Sequence, residues 1–284
     1  MADTFAYHIA VHSLEARSGL TPLARFTLAL HHAMSGHLHY SRAFDAARES
    51  KRRGTSLGQI EASVAQWVET DLNPMVQTAK CMNSSAEAIR WFNAYNRSAP
   101  LGIRTTVGER AGSWKDMADI SSAATRVRTG LHEDLECSRA TAFAILGDLI
   151  RRAEAHGRAG LDVVPRTVAD VAFFFGVESS AAAEVCAVFE AEGSMRVAHL
   201  ARHLGASQRS LERKLRTEGV TAESLRSATR LVRATARLKT QESLTTIAVA
   251  EGYSDSAHMS RAFQASCGMT PSMLRQFHRG LPPT

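Results

Sequence analysis

The sequence predicts a mainly α protein. An all-α C-terminal domain, built from one two-helix unit used twice, follows an N-terminal domain that is mostly helical but of the α+β class. Three observations carry this expectation. The stretch LARHLGASQRSLERKLRTEGVT (200–221) recurs in the run that ends EGYSDSAHMSRAFQASCGMTP (251–271). Leu200-Ala201 align with Ile247-Ala248, Gly205 with Gly252 and Ser207 with Ser254 at one offset. One residue later in register, Leu211, Arg213 and Leu215 align with Met259, Arg261 and Phe263, and Gly219 and Thr221 then align with Gly268 and Thr270. Such a repeat marks a supersecondary unit used twice. Second, hydroxyl residues suited to capping helices stand before the runs beyond residue 193. Third, residues 195–284 carry 14 Lys/Arg against 6 Asp/Glu, whereas residues 1–194 carry 20 against 22. A basic module that meets a polyanion, joined to a near-neutral module with another task, accounts for that split.

A chain of 284 residues is long enough for two domains, expected here at 1–192 and 193–284. The first 20 residues show no clear pattern. PLARFTLALHHAM and SRAFDAARESKRR are helical from Pro22 to about Gly54, and Leu57–Thr70 brings Ile60, Val64, Trp67 and Val68 to one side. Ser85 is placed to cap the next helix, whose apolar face of Ala88, Trp91, Phe92 and Tyr95 is closed off by Pro100. GIRTTVGE (102–109) alternates and carries two β-branched threonines, which suits a strand. A helix from Ser138 to His156 spaces Phe143, Leu146, Leu149 and Ile150 for burial. LDVVPRTVADVAFFFG (161–176) reads as a short strand and a buried segment, and AEGS (191–194) as a linker.

Beyond the linker, Ser194, Ser207, Thr221, Ser243, Ser254 and Thr270 each precede a helix-compatible run, Thr270 with proline at the first helical position. The spacing gives about seven helices. Turns are expected at Gly205 and Gly252, and a long helix from about Ala222 to Lys239. A short helix, a glycine turn and a second helix make a helix-turn-helix unit, whose second helix can lie in the DNA major groove. The C-terminal domain is therefore expected as two helix-turn-helix units joined by a long helix. On the first recognition helix Leu211 and Leu215 turn inward, leaving Arg209, Arg213 and Arg216 outward with Ser210 and Glu212 beside them. On the second, Met259 and Phe263 turn inward and Ala257, Arg261 and Gln264 face out beside His258 and Ser260. Arginine can bond guanine O6 and N7 together, and glutamate can accept from cytosine N4. Lys214 suits a phosphate. The plainer reading leaves the arginines as solvated surface and makes Glu212 an i,i+4 partner of Arg216. The second helix offers fewer base-reading side chains and is expected to discriminate less. Arg226, Arg230, Arg233 and Arg237 recur along one face of the joining helix, which reads as a solvated or salt-bridged stripe.

GYSDSAHMSRAFQASCGMTPSMLR (252–275) resembles the signature of AraC/XylS-type transcriptional regulators through Gly252-Tyr253, Asp255, Met259, Arg261, Phe263, Gly268, Thr270-Pro271 and Arg275. LARHLGASQRSLERKL is similar to the first helix-turn-helix of that family. The resemblance implies paired recognition helices entering successive major grooves on one face of the duplex. It carries base reading onto Arg209, Glu212, Arg213, Ser256, Ala257, Ser260 and Arg261, and phosphate contacts are expected from Ser207, Lys214, Arg216, His258 and Gln264. Met259 departs from the aromatic residue common there, and Ala257 can offer only an apolar contact such as to a thymine methyl. SSAEAIRWFNAYNRSAP and LDVVPRTVADVAFFFGVESSA are similar to the helical, mixed-strand sensor domains of one branch of the family, which bind a small metabolite and pair subunits. The expected partners are double-stranded DNA, RNA polymerase and a second copy held through the N-terminal domain.

The reading that follows is a sequence-specific DNA-binding regulator, an activator, whose N-terminal domain binds an unidentified small effector or dimerises. One alternative is a regulator without a small ligand, controlled by oligomerisation or a protein partner. Another is a metal sensor or enzyme using the N-terminal domain, because LHHAMSGHLHY clusters His31, His32, His37 and His39 and imidazoles bind zinc, nickel or copper. No carboxylate lies among those histidines and nothing fixes the spacing as HExxH would. GxGxxG, GxxxxGK[ST] and GxSxG motifs are missing from the chain, so neither a cofactor nor catalysis is expected. Cys81, Cys137, Cys186 and Cys267 form no CxxC pair and are expected as buried small hydrophobes in a reducing cytoplasm. MADTFAYHIA lacks the features of a signal peptide and no run is long enough for a membrane span, which gives the same location.

Overall fold

A computed structural model describes residues 4–15, 19–108, 117–129 and 133–279. The opening residues form β1 (Phe5–Tyr7) and α1 (His8–Leu14). The latter is buried nearly all round, with Ile9 and Val11 fully enclosed. A helix without a polar face offers no amphipathic period to read, which is why the sequence shows none here. Thr21 and Pro22 start α2 (Pro22–Met34), and β2 (His37–His39) pairs antiparallel with β1. Next come α3 (Tyr40–Arg52), α4 (Leu57–Thr70) behind a Ser56/Gln59 capping box, α5 (Pro74–Lys80) capped by Asn73, and α6 (Ser85–Ser98). The cap of α6 is Ser84, not Ser85.

The expected strand at 102–109 forms as β3 (Ile103–Val107), with Glu109 outside the described residues. It pairs antiparallel with β4 (Ala124–Arg128). Ile103, Thr105 and Val107 are buried while Arg104 and Thr106 face out, the period of two that a half-buried strand requires. Its other edge would leave buried backbone groups unpaired. Two buried asparagines of α6 close that edge. Asn93 Nδ2 donates to Val107 O at 2.7 Å and its Oδ1 accepts from Val107 N at 2.9 Å, while Asn96 Oδ1 accepts from Thr105 N at 2.8 Å. After α7 (Met117–Ser122), the 24-residue α8 (Glu136–Ala159) packs against α1, α3, α4 and α6. Residues 161–167 form no strand, and VADVAFFF is a helix, α9 (Val168–Phe175), followed by α10 (Ala181–Glu192).

Six helices follow: α11 (Val197–His203), α12 (Gln208–Thr217), α13 (Ala222–Arg237), α14 (Leu244–Ala250), α15 (Ser256–Cys267) and α16 (Pro271–His278). The repeat is a repeat of backbone. Gly205 and Gly252 both adopt positive φ, 62° and 79°, and the following amides close the same turn, Ala206 N to Ala201 O and Tyr253 N to Ala248 O, each at 2.8 Å. Glycine is needed there because a Cβ penalises that conformation. Ser207, Thr221, Ser243 and Thr270 cap their helices as expected. Ser194 and Ser254 do not. Arg196 starts α11 without a side-chain cap, and Asp255 caps α15 by accepting from His258 N at 2.6 Å. The carboxylate is the stronger acceptor and is favoured at a helix N-terminus.

Packing continues across residue 192. One apolar cluster joins Phe26 and Leu30 of α2, Val171 of α9 and Val185 of α10 to Leu200, Leu211, Leu215, Leu225 and Val232. The other joins Ile9, Trp91 and Leu146 to Leu231, Leu238, Ile247, Met259 and Phe263. The first helix-turn-helix unit, α11–α12, is thus backed by α2, α9 and α10. The second, α14–α15, is backed by the N-terminal bundle, and α13 supplies a face to each. Beyond the linker the described residues thus form six helices, not about seven, and α10 packs on them from before it.

Candidate nucleic-acid interface

Leu211 and Leu215 anchor α12, and Arg209, Glu212, Arg213, Lys214 and Arg216 are exposed. Glu212 does not pair with Arg216. It accepts from Gln208 Nε2 at 2.8 Å, one turn earlier. Among the described residues, none of Arg209, Arg213, Lys214 and Arg216 is taken up by an ion pair, so their charge is presented outward. Ser207 is exposed and its Oγ accepts from Ser210 N at 3.2 Å, which leaves the hydroxyl hydrogen for a phosphate. On α15, Met259 and Phe263 are fully buried, and Ala257, Arg261 and Gln264 are exposed. Ser256, His258 and Ser260 are half-buried. His258 is engaged locally, with Nδ1 at 3.2 Å from Ser254 Oγ and its ring edge-on to Tyr253. The hydrogen bond from His258 N, with Ser254 and Arg261 nearby, holds the Asp255 carboxyl below its ordinary range.

The arginine stripe of α13 does not reach outward. Arg233 Nε donates to Glu251 Oε2 at 2.6 Å, and Arg237 Nη1 to Glu251 Oε1 at 2.9 Å. The Glu251 side chain is only 2% exposed. Arg233 also donates to Phe189 O at 3.1 Å, at the C-terminal end of α10, where a cation complements the helix dipole. Arg230 lies 4.5 Å over the Tyr253 ring, and Arg226 pairs with Glu223 and donates to Met195 O. Glu218, at the end of α12, accepts from Ala181 N and Ala182 N at 2.9 and 2.8 Å and caps α10. Carboxylates and arginines therefore lock α10, α12, α13 and α14 together. Glu251 and Glu218 were not read from the sequence. The available signal was an acid before one glycine of each aligned pair, Glu218 before Gly219 and Glu251 before Gly252, which carries meaning only once its distant partner is placed. Arg275 is likewise internal, donating to Glu242 O at 2.7 Å.

The N-terminal unit grips the far end of α15. Asn73 Nδ2 donates to His32 O at 2.7 Å and to Ser266 O at 3.2 Å, and Gly36 N donates to Ser266 O at 2.8 Å. A Cβ at Gly36 would lie 2.6 Å from Asn73 Nδ2 and 2.9 Å from the Tyr7 ring. His37 bonds Tyr95 Oη at 2.9 Å and its ring faces Gly268, which ends α15. Tyr7 and Tyr95 also line a cavity of about 100 Å³ inside the N-terminal unit, with Phe5, Trp91, Phe92 and Ile145.

The four clustered histidines separate. His31 is exposed, His39 holds Ser41 Oγ at 2.7 Å, and His37 turns to Tyr95. His32 is buried instead beside His12 (Nε2 to Nε2, 2.8 Å) and stacked on His8 at 4.1 Å, while His8 contacts Asp71 at 2.6 Å. His31 and His32 stay neighbours on α2, ring centroids 5.4 Å apart, but one is exposed and the other buried, and the end of α2 separates both from His37 and His39 on β2, so the four do not converge. Among the described residues no group of three or more His, Cys, Asp or Glu is arranged to hold a metal ion. Cys186 and Cys267 are buried, but Cys81 and Cys137 are only half-buried. Burial pushes the Cys186 and Cys267 thiols up to about 12 and the Cys81 thiol to about 11. No helix among the described residues is long and apolar enough to cross a membrane.

Residues 200–276 match a family model described as a helix-turn-helix domain. No curated protein and no solved structure matches the chain. With two capped recognition helices, outward basic side chains and the AraC/XylS signature inside the matched span, the chain is a DNA-binding transcriptional regulator whose C-terminal helix-turn-helix domain belongs to the AraC/XylS family.

Proposed function

We infer that the chain reads an asymmetric DNA site through both recognition helices. Arg209, Glu212 and Arg213 contact bases from α12, and Ser256, Ala257, Ser260 and Arg261 from α15. Ser207, Lys214, Arg216, His258 and Gln264 meet phosphates. The observation that carries this reading is the contrast within the basic module: the arginines of α13 are consumed by internal partners, whereas those of α12 and α15 are left exposed. Selection from random duplexes followed by footprinting tests it. Two protected half-sites about one helical turn apart are expected, and a single short half-site would reject the tandem reading.

The N-terminal unit binds a small effector in the aromatic cavity and the regulator works as an activator with RNA polymerase in the cytoplasm. Neither a catalytic role nor a cofactor is proposed. Calorimetry with a metabolite library tests the effector, since a ligand that prefers the folded state raises its stability. Control by association of two copies is the second reading. Phe173 and Phe174, 76% and 50% exposed on α9, favour it, and sedimentation of Phe173→Asp against the unaltered chain decides it.

A further inference from the structure

We propose that the N-terminal cavity takes a neutral, single-ring aromatic compound bearing one hydrogen-bond acceptor, of the aryl ketone or aldehyde class. The inference rests on the effector reading above and names the chemistry of that site. Size comes first. An engineered apolar cavity of about 150 Å³ holds benzene, and this one, at about 100 Å³, is of the same order. Its wall is aromatic and aliphatic, from Phe5, Phe92, Leu101 and Ile145 together with Tyr7 and Trp91.

Charge comes second. Among the described residues the one cationic group on the wall, Arg126, is already neutralised: Nε and Nη2 donate to the Asp134 carboxylate at 2.7 Å each, and Nη1 donates to Thr105 Oγ1 at 2.6 Å. Asn96 is spent on Thr105 N and Phe92 O. A carboxylate or phosphate entering the cavity would be desolvated without a free partner, which is costly. A sugar would bury several hydroxyls against a wall that cannot pair them. Besides Thr105 and Tyr7, the hydroxyls among the lining residues belong to Ser138, half-buried, to Tyr40, and to Tyr95, whose Oη is taken by His37.

Two of the lining residues carry donors that are unspent. Tyr7 Oη and Trp91 Nε1 are buried and have no hydrogen-bond partner, and the residues are 6% and 1% exposed. An indole N–H can only donate. Groups of this kind persist in folded proteins chiefly where something else completes them, and a carbonyl oxygen on a ring-sized ligand would do so. Burial raises the Tyr7 hydroxyl well above its ordinary pKa, so it stays protonated and able to donate.

The test uses the full chain and four probes in calorimetry: acetophenone, toluene, benzoate and ribose. Acetophenone is expected to bind, with benzoate at least about tenfold weaker because its charge is unpaired, and ribose giving no heat. Trp91→Phe should weaken acetophenone about two- to tenfold and leave toluene unchanged, which also shows that the variant is folded. Ala142→Phe, which fills the cavity, should abolish both. Tighter binding of benzoate or ribose, lost in Ala142→Phe, would overturn the ligand class while sparing the effector reading. Acetophenone binding unchanged in Ala142→Phe would overturn the site. Failure of all four probes would overturn the class, and only a blank metabolite library as well would take the effector reading with it.

Discussion

The two helix-turn-helix units share a sequence template and a turn geometry but not a foundation. The first rests on α2, α9 and α10 and presents four unpaired cations on α12. The second rests on the N-terminal bundle, is held at Ser266 by Asn73 and Gly36, and presents Arg261 alone. A duplicated unit needs the same turn and the same inward apolar residues, but its outer back can be adapted to whatever it packs on. The difference teaches that charge for affinity sits with the first unit, while the grip by Asn73 and Gly36 sits on the second.

The largest expected effect breaks what both units share. Glu251→Gln leaves Arg233 and Arg237 facing a neutral group and should cost about 2–3 kcal/mol in urea unfolding, less than a fully buried broken pair because the arginines are partly exposed. Gly36→Ala attacks only the second unit's attachment. Overpacking against Asn73 and Ser266 should cost about 1–3 kcal/mol and speed amide exchange in α15 while α12 is unchanged; equal effects on both helices would erase the asymmetry. Arg213→Ala should lose about 1–3 kcal/mol of discrimination at one base pair, measured on a library of single-base variants. Arg261→Ala should lose less. Lys214→Ala is the mildest change: binding to all sequences should weaken alike, with the salt slope lower by about 1.

Acid sharpens the same comparison. Burial, then the nearby His8, lowers His32 below its ordinary range and His37 to about 4; burial, then Lys239 and Arg275, lowers His278 to about 4. All three flank the second unit's attachment. Because the unfolded chain takes up protons first, stability present above the ordinary histidine value of about 6.5 is lost as pH falls toward 4. Exchange in α15 should accelerate over that window before exchange in α12 does.

Local chemistry was legible where one residue type has one task. Thr270-Pro271, the paired glycines and the Leu211/Leu215 spacing define their elements with information within a turn or two. The short strand expected within 161–176 did not form: the β-branched residues of 161–167 found no partner strand, and VADVAFFF has the length of a strand but the capping box of a helix. The outward faces of α12 and α15 followed from periodicity, with Ser256, His258 and Ser260 only half-exposed.

By itself the sequence determined the repeat, the helix starts, the inward residues of both recognition helices and the basic character of the C-terminal end, since each depends on neighbours along the chain. Only the tertiary structure decided that α9 and α10 back the first unit, that Arg233 and Arg237 of α13 are spent on Glu251, and that the histidine cluster separates. Those outcomes depend on which groups far apart in sequence become buried together, and burial is what turns an arginine from a solvated charge into a strut.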